Sequence, residues 1–177
     1  MICKTRDLNL GKAFALAAMA MLLFLAACSN FSRPPVMAED FQVTLFDGGD
    51  FRLSDQLGKK SVVLNFWFPS CPPCVAEMPD FELLHQKFKG DGLKVIGVEF
   101  LGLDSVEDGQ TFVERLNVDY MLGPDQTADD SGQIVMDYKI TGFPTTLFID
   151  RDQNIVRKWT GALNLEKLEE LTLAIMN

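Results

Sequence analysis

Residues 61–74 read Ser61-Val-Val-Leu-Asn-Phe-Trp-Phe-Pro-Ser-Cys-Pro-Pro-Cys74. The first seven form a β-rich, largely apolar run, which is the pattern of a strand buried on both faces. Apolar residues then recur at helical spacing from Cys71 or Pro72 to about Phe88. A buried strand that leads directly into a helix predicts a β-α unit, the building block of α/β folds.

Strand and helix patterns continue on both sides of this unit. Upstream, two short segments around a Gly-Gly turn predict a β-hairpin within residues 41–53. Downstream, the patterns predict strands at 93–100, 145–150 and 155–160, helices at 105–116 and 165–175, a loop from 121 to 133, and a short helix that ends near 138. This alternation predicts an α/β domain with a mainly parallel sheet and an antiparallel edge hairpin.

The first 27 residues have the layout of an export signal. Three basic side chains precede an apolar run at 13–27, which is shorter than the roughly 20 residues that span a bilayer. The run ends in Leu-Ala-Ala-Cys28, which resembles the bacterial lipobox, where the cysteine is lipidated and becomes the new N-terminus. A signal peptide without lipidation and an uncleaved anchor are the alternatives. The expected organisation is a lipoprotein signal peptide at 1–27, the lipidated Cys28 with a flexible tether at 28–40, and a folded domain at 41–177.

The charge balance excludes one class of partner. The 177 residues include 16 Lys+Arg and 25 Asp+Glu, which gives a formal net charge of −9 at pH 7. Proteins that bind nucleic acid through its phosphates need clustered basic side chains, and this sequence has only isolated basic pairs. We therefore expect no nucleic-acid partner.

After the expected cleavage, Cys71 and Cys74 are the two free thiols, because Cys3 leaves with the signal and Cys28 carries the lipid. At the start of a helix, residues three apart are neighbours, so the two sulfurs can come within disulfide distance. Cys71 occupies the predicted N-cap, where the helix end lowers the pKa of a thiol. We therefore expect Cys71 to be the attacking nucleophile and Cys74 to resolve the mixed disulfide.

A structural disulfide and half of a metal site are the alternatives for this cysteine pair. A structural zinc site needs two further ligands, and the mature chain offers only His85. A c-type haem site needs His after Cys74, where Val75 stands. The prediction is therefore no metal, and no cofactor beyond the redox-active Cys71–Cys74 disulfide.

A second motif lies far along the chain, where residues 142–150 read Gly-Phe-Pro-Thr-Thr-Leu-Phe-Ile-Asp. Its proline directly precedes a predicted strand, where an X-Pro bond can be cis and turn the backbone sharply. With Asn-Phe-Trp at 65–67, the two cysteines, Glu-Met-Pro at 77–79 and Gly-Ala-Leu at 161–163, the chain resembles the thioredoxin-like family. It is most similar to the membrane-anchored, extracytoplasmic TlpA/ResA-like thiol-disulfide oxidoreductases, over about residues 41–175.

The resemblance implies a thioredoxin-like α/β fold in which helices flank a mixed central sheet, with an N-terminal β-hairpin and an inserted β-α segment. It also implies that Pro144 is cis and faces the dithiol. In the family this proline excludes metals, and its neighbours, here including Phe143, bind the substrate backbone.

Four more residues complete the predicted site. Glu77 matches an acidic residue that family members place near the dithiol, and it lies about one turn beyond Cys74 on the same helix face. If Glu77 is buried, its pKa rises and it can exchange protons with a cysteine. The alternative is a solvent-exposed helix carboxylate. Pro72 and Pro73 stiffen the motif, and Trp67 shapes the site from the strand, where core packing is expected.

One position departs from the family pattern. Family members usually have Trp directly before the first cysteine, and here Ser70 stands there, after Phe68 and Pro69. We expect the loss of an aromatic ring beside Cys71 to change which partner surfaces dock.

The favoured function is a thiol-disulfide oxidoreductase, anchored to a membrane by lipid on Cys28, in the periplasm or on the outer face of the cytoplasmic membrane. Pro73 has no N–H to stabilise a Cys71 thiolate, which favours a reducing couple. The resemblance implies that it reduces exported proteins, such as apocytochrome c during cytochrome c maturation. A membrane dithiol protein would then supply the electrons, because the compartment is oxidising.

Two other functions are the alternatives. A peroxiredoxin-like thiol peroxidase shares this fold, but its cysteine needs Thr and Arg nearby, and residues 68–70 supply neither. A copper-handling thioredoxin-fold lipoprotein would add His or Met ligands to the dithiol.

Overall fold

The computed structural model describes residues 35–126 and 132–176. The predicted signal peptide and Cys28 lie outside these residues. The elements, in chain order, are β1 Val36–Met37, β2 Gln42–Thr44, β3 Asp50–Arg52, a 3-10 turn Ser54–Gln56, β4 Ser61–Trp67, α1 Pro72–Phe88, β5 Leu93–Glu99, α2 Val106–Val113, β6 Met121–Pro124, α3 Gln133–Asp137, β7 Thr145–Ile149, β8 Asn154–Thr160 and α4 Leu165–Met176. No helix in these two ranges is long and apolar enough to cross a membrane.

A six-stranded mixed sheet has the order β1-β8-β7-β4-β5-β6, and β2 and β3 form a separate hairpin. The predicted thioredoxin-like architecture is therefore confirmed. Strands β4, β5 and β6 run parallel, whereas β7 is antiparallel to β4, and β8 and β1 continue the antiparallel half. Three of the five strand pairings in this sheet are thus antiparallel, so the prediction of a mainly parallel sheet was wrong. In the β4–β7 pair Phe66 lies opposite Thr145, so the start of β7 adjoins the end of β4.

Strand β4 is central and buried along its whole length, as its apolar run predicted. One side of the sheet packs against the hairpin through apolar side chains such as Val43, Phe51 and Phe66. The other side packs under α1 and α4, where the core contains Trp67 and Phe81. Each fully buried side chain of this size contributes about 1.5–3 kcal/mol relative to an exposed one.

Two segments differ from the sequence prediction. Residues 121–124, predicted to be a loop, form β6, which pairs with β5 at the edge of the sheet. Gly and Pro make this segment a poor strand former in isolation, and pairing with a buried neighbour overrides that preference. Val36 pairs with Ile155 in β8, so the folded part starts inside the segment predicted to be the tether, residues 28–40.

Candidate active site

The two cysteines lie at the junction of β4 and α1. The N–H of Cys71 donates to the carbonyl of Phe68 at 3.1 Å, which closes a tight turn after the strand. Cys71 is the N-cap of α1, and Pro72 and Pro73 are the first two helical residues. Cys71 and Cys74 form a disulfide, with a Cα–Cα distance of 5.3 Å. The pairing expected from their spacing is therefore present.

The two sulfurs occupy different surroundings. The backbone N–H of Cys74 donates to Cys71 Sγ at 3.3 Å, as a helix donates to an N-cap side chain. Cys71 retains 4% exposure and Cys74 retains none. A thiolate at Cys71 therefore has a hydrogen-bond donor, the positive end of a helix and some access to solvent. These surroundings suit Cys71 to nucleophilic attack and Cys74 to resolution from inside the fold.

The second predicted motif leads into the strand that pairs with β4. The Phe143–Pro144 bond is cis, and Pro144 directly precedes β7, which begins beside the end of β4. The hydroxyl of Thr145 donates to the carbonyl of Gly142 at 2.7 Å and so holds the loop in place. Phe143 packs against the apolar cluster that contains Cys71 and Cys74.

Three half-buried phenylalanines from three separate loops meet at this end of the sheet, and two of them, Phe68 and Phe143, pack against the apolar cluster that contains the cysteines. The rings of Phe100 and Phe143 stack with centroids 4.9 Å apart, and Phe68 meets Phe143 edge-on at 5.3 Å. Phe68 starts the turn that leads into Cys71, and Phe143 belongs to the cis-proline loop. We call Phe68, Phe100 and Phe143 the aromatic cluster. It supplies an apolar surface next to the dithiol although Ser70 replaces the aromatic residue that the family usually has.

Glu77 is buried in α1, with 3% exposure, so it is not the solvent-exposed carboxylate that was the alternative. Its two oxygens accept separate hydrogen bonds, one from Asn65 Nδ2 and one from the N–H of Leu163, each at 2.9 Å. Asn65 Nδ2 also donates to Thr146 Oγ1 at 3.1 Å. Strand β4, strand β7 and the segment before α4 together therefore fix this carboxylate.

Burial raises the pKa of Glu77 to about 7, with a smaller contribution from the charge of Asp80. The hydrogen bonds from Leu163 and Asn65 oppose this rise. A cavity of about 440 Å³, lined in part by Glu77 and Trp159, opens to solvent beside the carboxylate. A group that is half protonated at neutral pH and connected to water is suited to transfer protons.

The remaining predicted residues take two kinds of position. Trp67 has no exposure and packs against Phe112, with ring centroids 5.6 Å apart, so it supports the site from the core. Pro72 and Pro73 are exposed at the start of α1. Within residues 35–126 and 132–176, no group of three or more His, Cys, Asp or Glu side chains could hold a metal ion.

Three contributors were not predicted from the sequence as parts of the site. Asn65 was identified from the sequence as part of a family motif, but no role was predicted for it. A lone amide in an otherwise apolar buried strand does carry a signal, because a buried polar side chain needs a hydrogen-bond partner. Phe100 directly follows β5 and so shares the end of the sheet at which β4 stops. The N–H of Leu163 carries no signal in the sequence, because every residue except proline has one.

Comparisons with known proteins agree with this geometry. The AhpC/TSA family model matches residues 35–158. Thiol-disulfide oxidoreductase ResA of Oceanobacillus iheyensis is 35% identical over 136 residues, which cover 75% of this chain and 67% of that protein. The ResA protein of Halalkalibacterium halodurans is 32% identical over 162 residues, 88% of each chain.

Solved structures show the same similarity. A protein described as a thiol:disulfide interchange protein DsbE from Chlorobium tepidum superposes with a TM-score of 0.71 at 27% identity, over 81% of this chain and 97% of that one. The exposed lipoprotein thioredoxin Etrx1 of Streptococcus pneumoniae superposes with a TM-score of 0.66 at 28% identity, over 76% of this chain and 99% of that one.

Proposed function

This chain belongs to the AhpC/TSA family as a thiol-disulfide oxidoreductase of the ResA type, and on that premise we propose that it reduces disulfides of exported proteins. The single observation that supports the reducing direction is the hydrogen bonding of Cys71. An N-cap side chain accepts from the N–H of the second or third helical residue. Here the second is Pro73, which has no N–H, and the third, Cys74, supplies the one donor to Cys71 Sγ that the described residues show. A sparsely stabilised thiolate makes the dithiol a better reductant.

The proposed reaction is two successive thiol-disulfide exchanges. The Cys71 thiolate attacks one sulfur of a client disulfide, an S–S bond forms between them, and the other client sulfur leaves as a thiolate and takes up a proton. Cys74 then loses its proton and attacks the Cys71 sulfur, which releases the second client thiol. The client gains two electrons from the Cys71–Cys74 pair and takes up two protons from water. The pair releases one proton when Cys71 ionises before the attack and the other when Cys74 ionises.

Glu77 is proposed to accept the proton of Cys74. The two residues lie three apart in α1, on neighbouring positions of one helix face. A carboxylate with a pKa of about 7 can accept a proton from Cys74 and pass it to water through the adjacent cavity. This arrangement allows resolution although Cys74 itself has no exposure.

The aromatic cluster is proposed to contact the client. A client sulfur must reach Cys71, so the surface around Cys71 necessarily lies in the interface. Three partly exposed aromatic rings favour a client segment that offers apolar side chains beside its cysteine. An unfolded exported protein has such segments, and apocytochrome c is the client that the family resemblance implies.

The location is proposed to be outside the cytoplasm, on a lipid anchor at Cys28. The support is the export-signal layout of residues 1–27, the Leu-Ala-Ala-Cys28 motif and the similarity to a protein described as an exposed lipoprotein. The proposed electron donor is a membrane dithiol protein, because an oxidising compartment offers no soluble pool of reduced thiols.

The reduction potential of the dithiol tests the proposal. The full chain in detergent would be equilibrated in dithiol buffers of graded potential, and the Cys71/Cys74 state read by thiol trapping and peptide mass spectrometry. We expect a single two-electron couple near or below roughly −270 mV. A value near roughly −120 mV would make the protein a disulfide donor. Turnover of peroxide, or tight copper binding by the reduced protein, would favour one of the two alternative functions.

A further inference from the structure

The turn before Cys71 is held by a residue from another loop. Both the backbone N–H and the hydroxyl of Ser70 donate to the same oxygen of Asp104, at 3.0 Å and 2.7 Å. Asp104 lies between β5 and α2, 34 residues further along the chain. Hydrogen bonds to a carboxylate are shorter and stronger than neutral ones. Ser70, the residue that departs from the family pattern, therefore fixes the turn through Asp104.

Asp104 is itself held in place by the start of α2. The next residue, Ser105, is the N-cap of that helix, and its hydroxyl accepts from the N–H of Asp108 at 3.2 Å. The Asp108 carboxylate accepts in return from the N–H of Ser105 at 3.0 Å, which completes a capping box. The Ser70–Asp104 pair thus ties the start of α1 to the start of α2.

The Asp104 carboxylate lies close to the backbone of Cys71. Its oxygen lies 3.0 Å from the nitrogen of Ser70, and one residue adds at most about 3.8 Å, so the oxygen is within about 7 Å of the Cys71 nitrogen. The Cys71 sulfur lies up to about 4 Å beyond that nitrogen, so its separation from the carboxylate is at most about 11 Å, which is comparable with the screening length of about 8 Å at physiological ionic strength. Within residues 35–126 and 132–176, no ion pair joins Asp104 to Lys or Arg.

Glu99, which lies near Asp104, contributes less charge at neutral pH. It is fully buried, and burial raises its pKa to about 8, with smaller contributions from Asp104 and Asp108. Most Glu99 is therefore protonated at pH 7. Glu107 and Asp108 on α2, and Arg115 two residues after that helix, line the same groove as Asp104. All three are exposed, so water screens them more than it screens the half-buried Asp104.

We propose that Asp104 is a positioning residue for the dithiol: it holds Cys71 at the start of α1 through Ser70, and its charge opposes formation of the Cys71 thiolate. The helix end and Asp104 then act on Cys71 in opposite directions, and the couple is more reducing than the helix end alone would make it. The inference rests on the proposed dithiol exchange, but it concerns only how the Cys71 thiolate fraction and the reduction potential differ between variant and parent. It can therefore fail while the proposed direction of electron flow stands.

The main test is Asp104→Asn, which removes the charge and keeps an oxygen that can accept from Ser70. In the reduced full chain, the rate of Cys71 alkylation would be followed against pH by peptide mass spectrometry. We expect a three- to tenfold larger thiolate fraction below the midpoint of the profile. Above the midpoint, where Cys71 is ionised in the reduced protein, we expect the redox equilibrium constant to change by the same factor. This change corresponds to a potential higher by about 14–30 mV. Glu107→Gln is the matched control, and we expect less than half of the shift.

Two further variants separate charge from structure. Ser70→Ala removes one hydrogen bond and keeps the charge, so we expect its profile to stay in place or move to higher pH. Asp104→Glu keeps the charge, and we expect a thiolate fraction within twofold of the parent, even if Asp104→Asn folds poorly. An unchanged profile in Asp104→Asn would overturn the inference. A shift of the alkylation profile to lower pH in Asp104→Glu would also overturn the inference. The same holds if the profile of Ser70→Ala shifts as far as that of Asp104→Asn.

Discussion

Leu163 and Glu77 are joined by a hydrogen bond that spans 86 residues: the backbone N–H of Leu163 donates to Glu77 Oε2 at 2.9 Å. Asn65 donates to the other oxygen, so the buried carboxylate has one firm donor on each side. These two donors orient the carboxylate, and yet burial still raises its pKa to about 7. The fold therefore retains a group that is costly to ionise, three residues after Cys74 in the same helix.

Glu77→Gln should make the stability of the oxidised protein fall less as the pH rises. The folded-state pKa of Glu77 is raised from 4.5 to about 7, so its effect on stability is neutral below about pH 4.5, becomes increasingly unfavourable as the pH rises towards 7, and is fully developed above pH 7. The shift corresponds to a loss of up to about 3 kcal/mol above pH 7, which glutamine, having no charge, avoids. Urea unfolding of parent and variant at pH 4.5 and pH 8 measures it. A difference that does not grow with pH would contradict the pKa assignment.

The same substitution should slow the second exchange and not the first. Glutamine cannot take the proton of Cys74, and loss of a general base typically lowers a rate by about 10²–10⁴-fold. Rapid mixing with a disulfide peptide, followed by acid quench, would show the mixed disulfide at Cys71 accumulating in Glu77→Gln. Glu166→Gln, on the exposed side of α4, is the control for a change of net charge. Equal slowing of both steps would indicate a general distortion of α1.

The parts of the site that could be predicted from the sequence are local. A buried run followed by two cysteines three apart was enough to place the dithiol at a strand–helix junction, because both the strand period and the helix start are short-range signals. The cis bond at Pro144 was expected from one proline before a strand and from the family resemblance.

The parts that could not be predicted depend on contacts between distant segments. The Ser70–Asp104 pair joins two loops, and neither loop has a pattern that specifies its partner. Strand β6 forms because β5 offers an unpaired edge, which outweighs the weak strand preference of residues 121–124. The burial of Glu77 depends on how the segment before α4 packs against α1. The helical pattern of α1 carries no information about that packing.

Phe100→Ala should weaken client binding more than it slows the thiol-disulfide exchange. Phe100 contributes the stacked ring of the aromatic cluster, and an aromatic pair is worth about 0.5–1.5 kcal/mol beyond its buried area. We expect kcat/KM for a disulfide peptide with an apolar residue beside its cysteine to fall about three- to tenfold, mainly through KM. Leu103→Ala, at a 71% exposed position in the same loop, is the control. An equal loss with a small disulfide substrate that has no apolar neighbours would show that the cluster supports the cysteines and does not contact the client.

Pro73→Ala should make the couple less reducing, and Pro72→Ala should not. Alanine at the second helical position, 73, has an N–H that can donate to Cys71 Sγ in addition to the N–H of Cys74. An N–H at the first helical position, 72, does not reach an N-cap side chain. A second donor to the thiolate stabilises the reduced form, and a tenfold change in the equilibrium constant raises the potential by about 30 mV. Both alanines relax the same turn to a similar degree, so loss of proline stiffness would move the two potentials together. Equilibration of both variants in the same dithiol buffers therefore decides between them: a higher potential in Pro73→Ala alone assigns the reducing character of the dithiol to the missing N–H, and equal potentials assign it elsewhere.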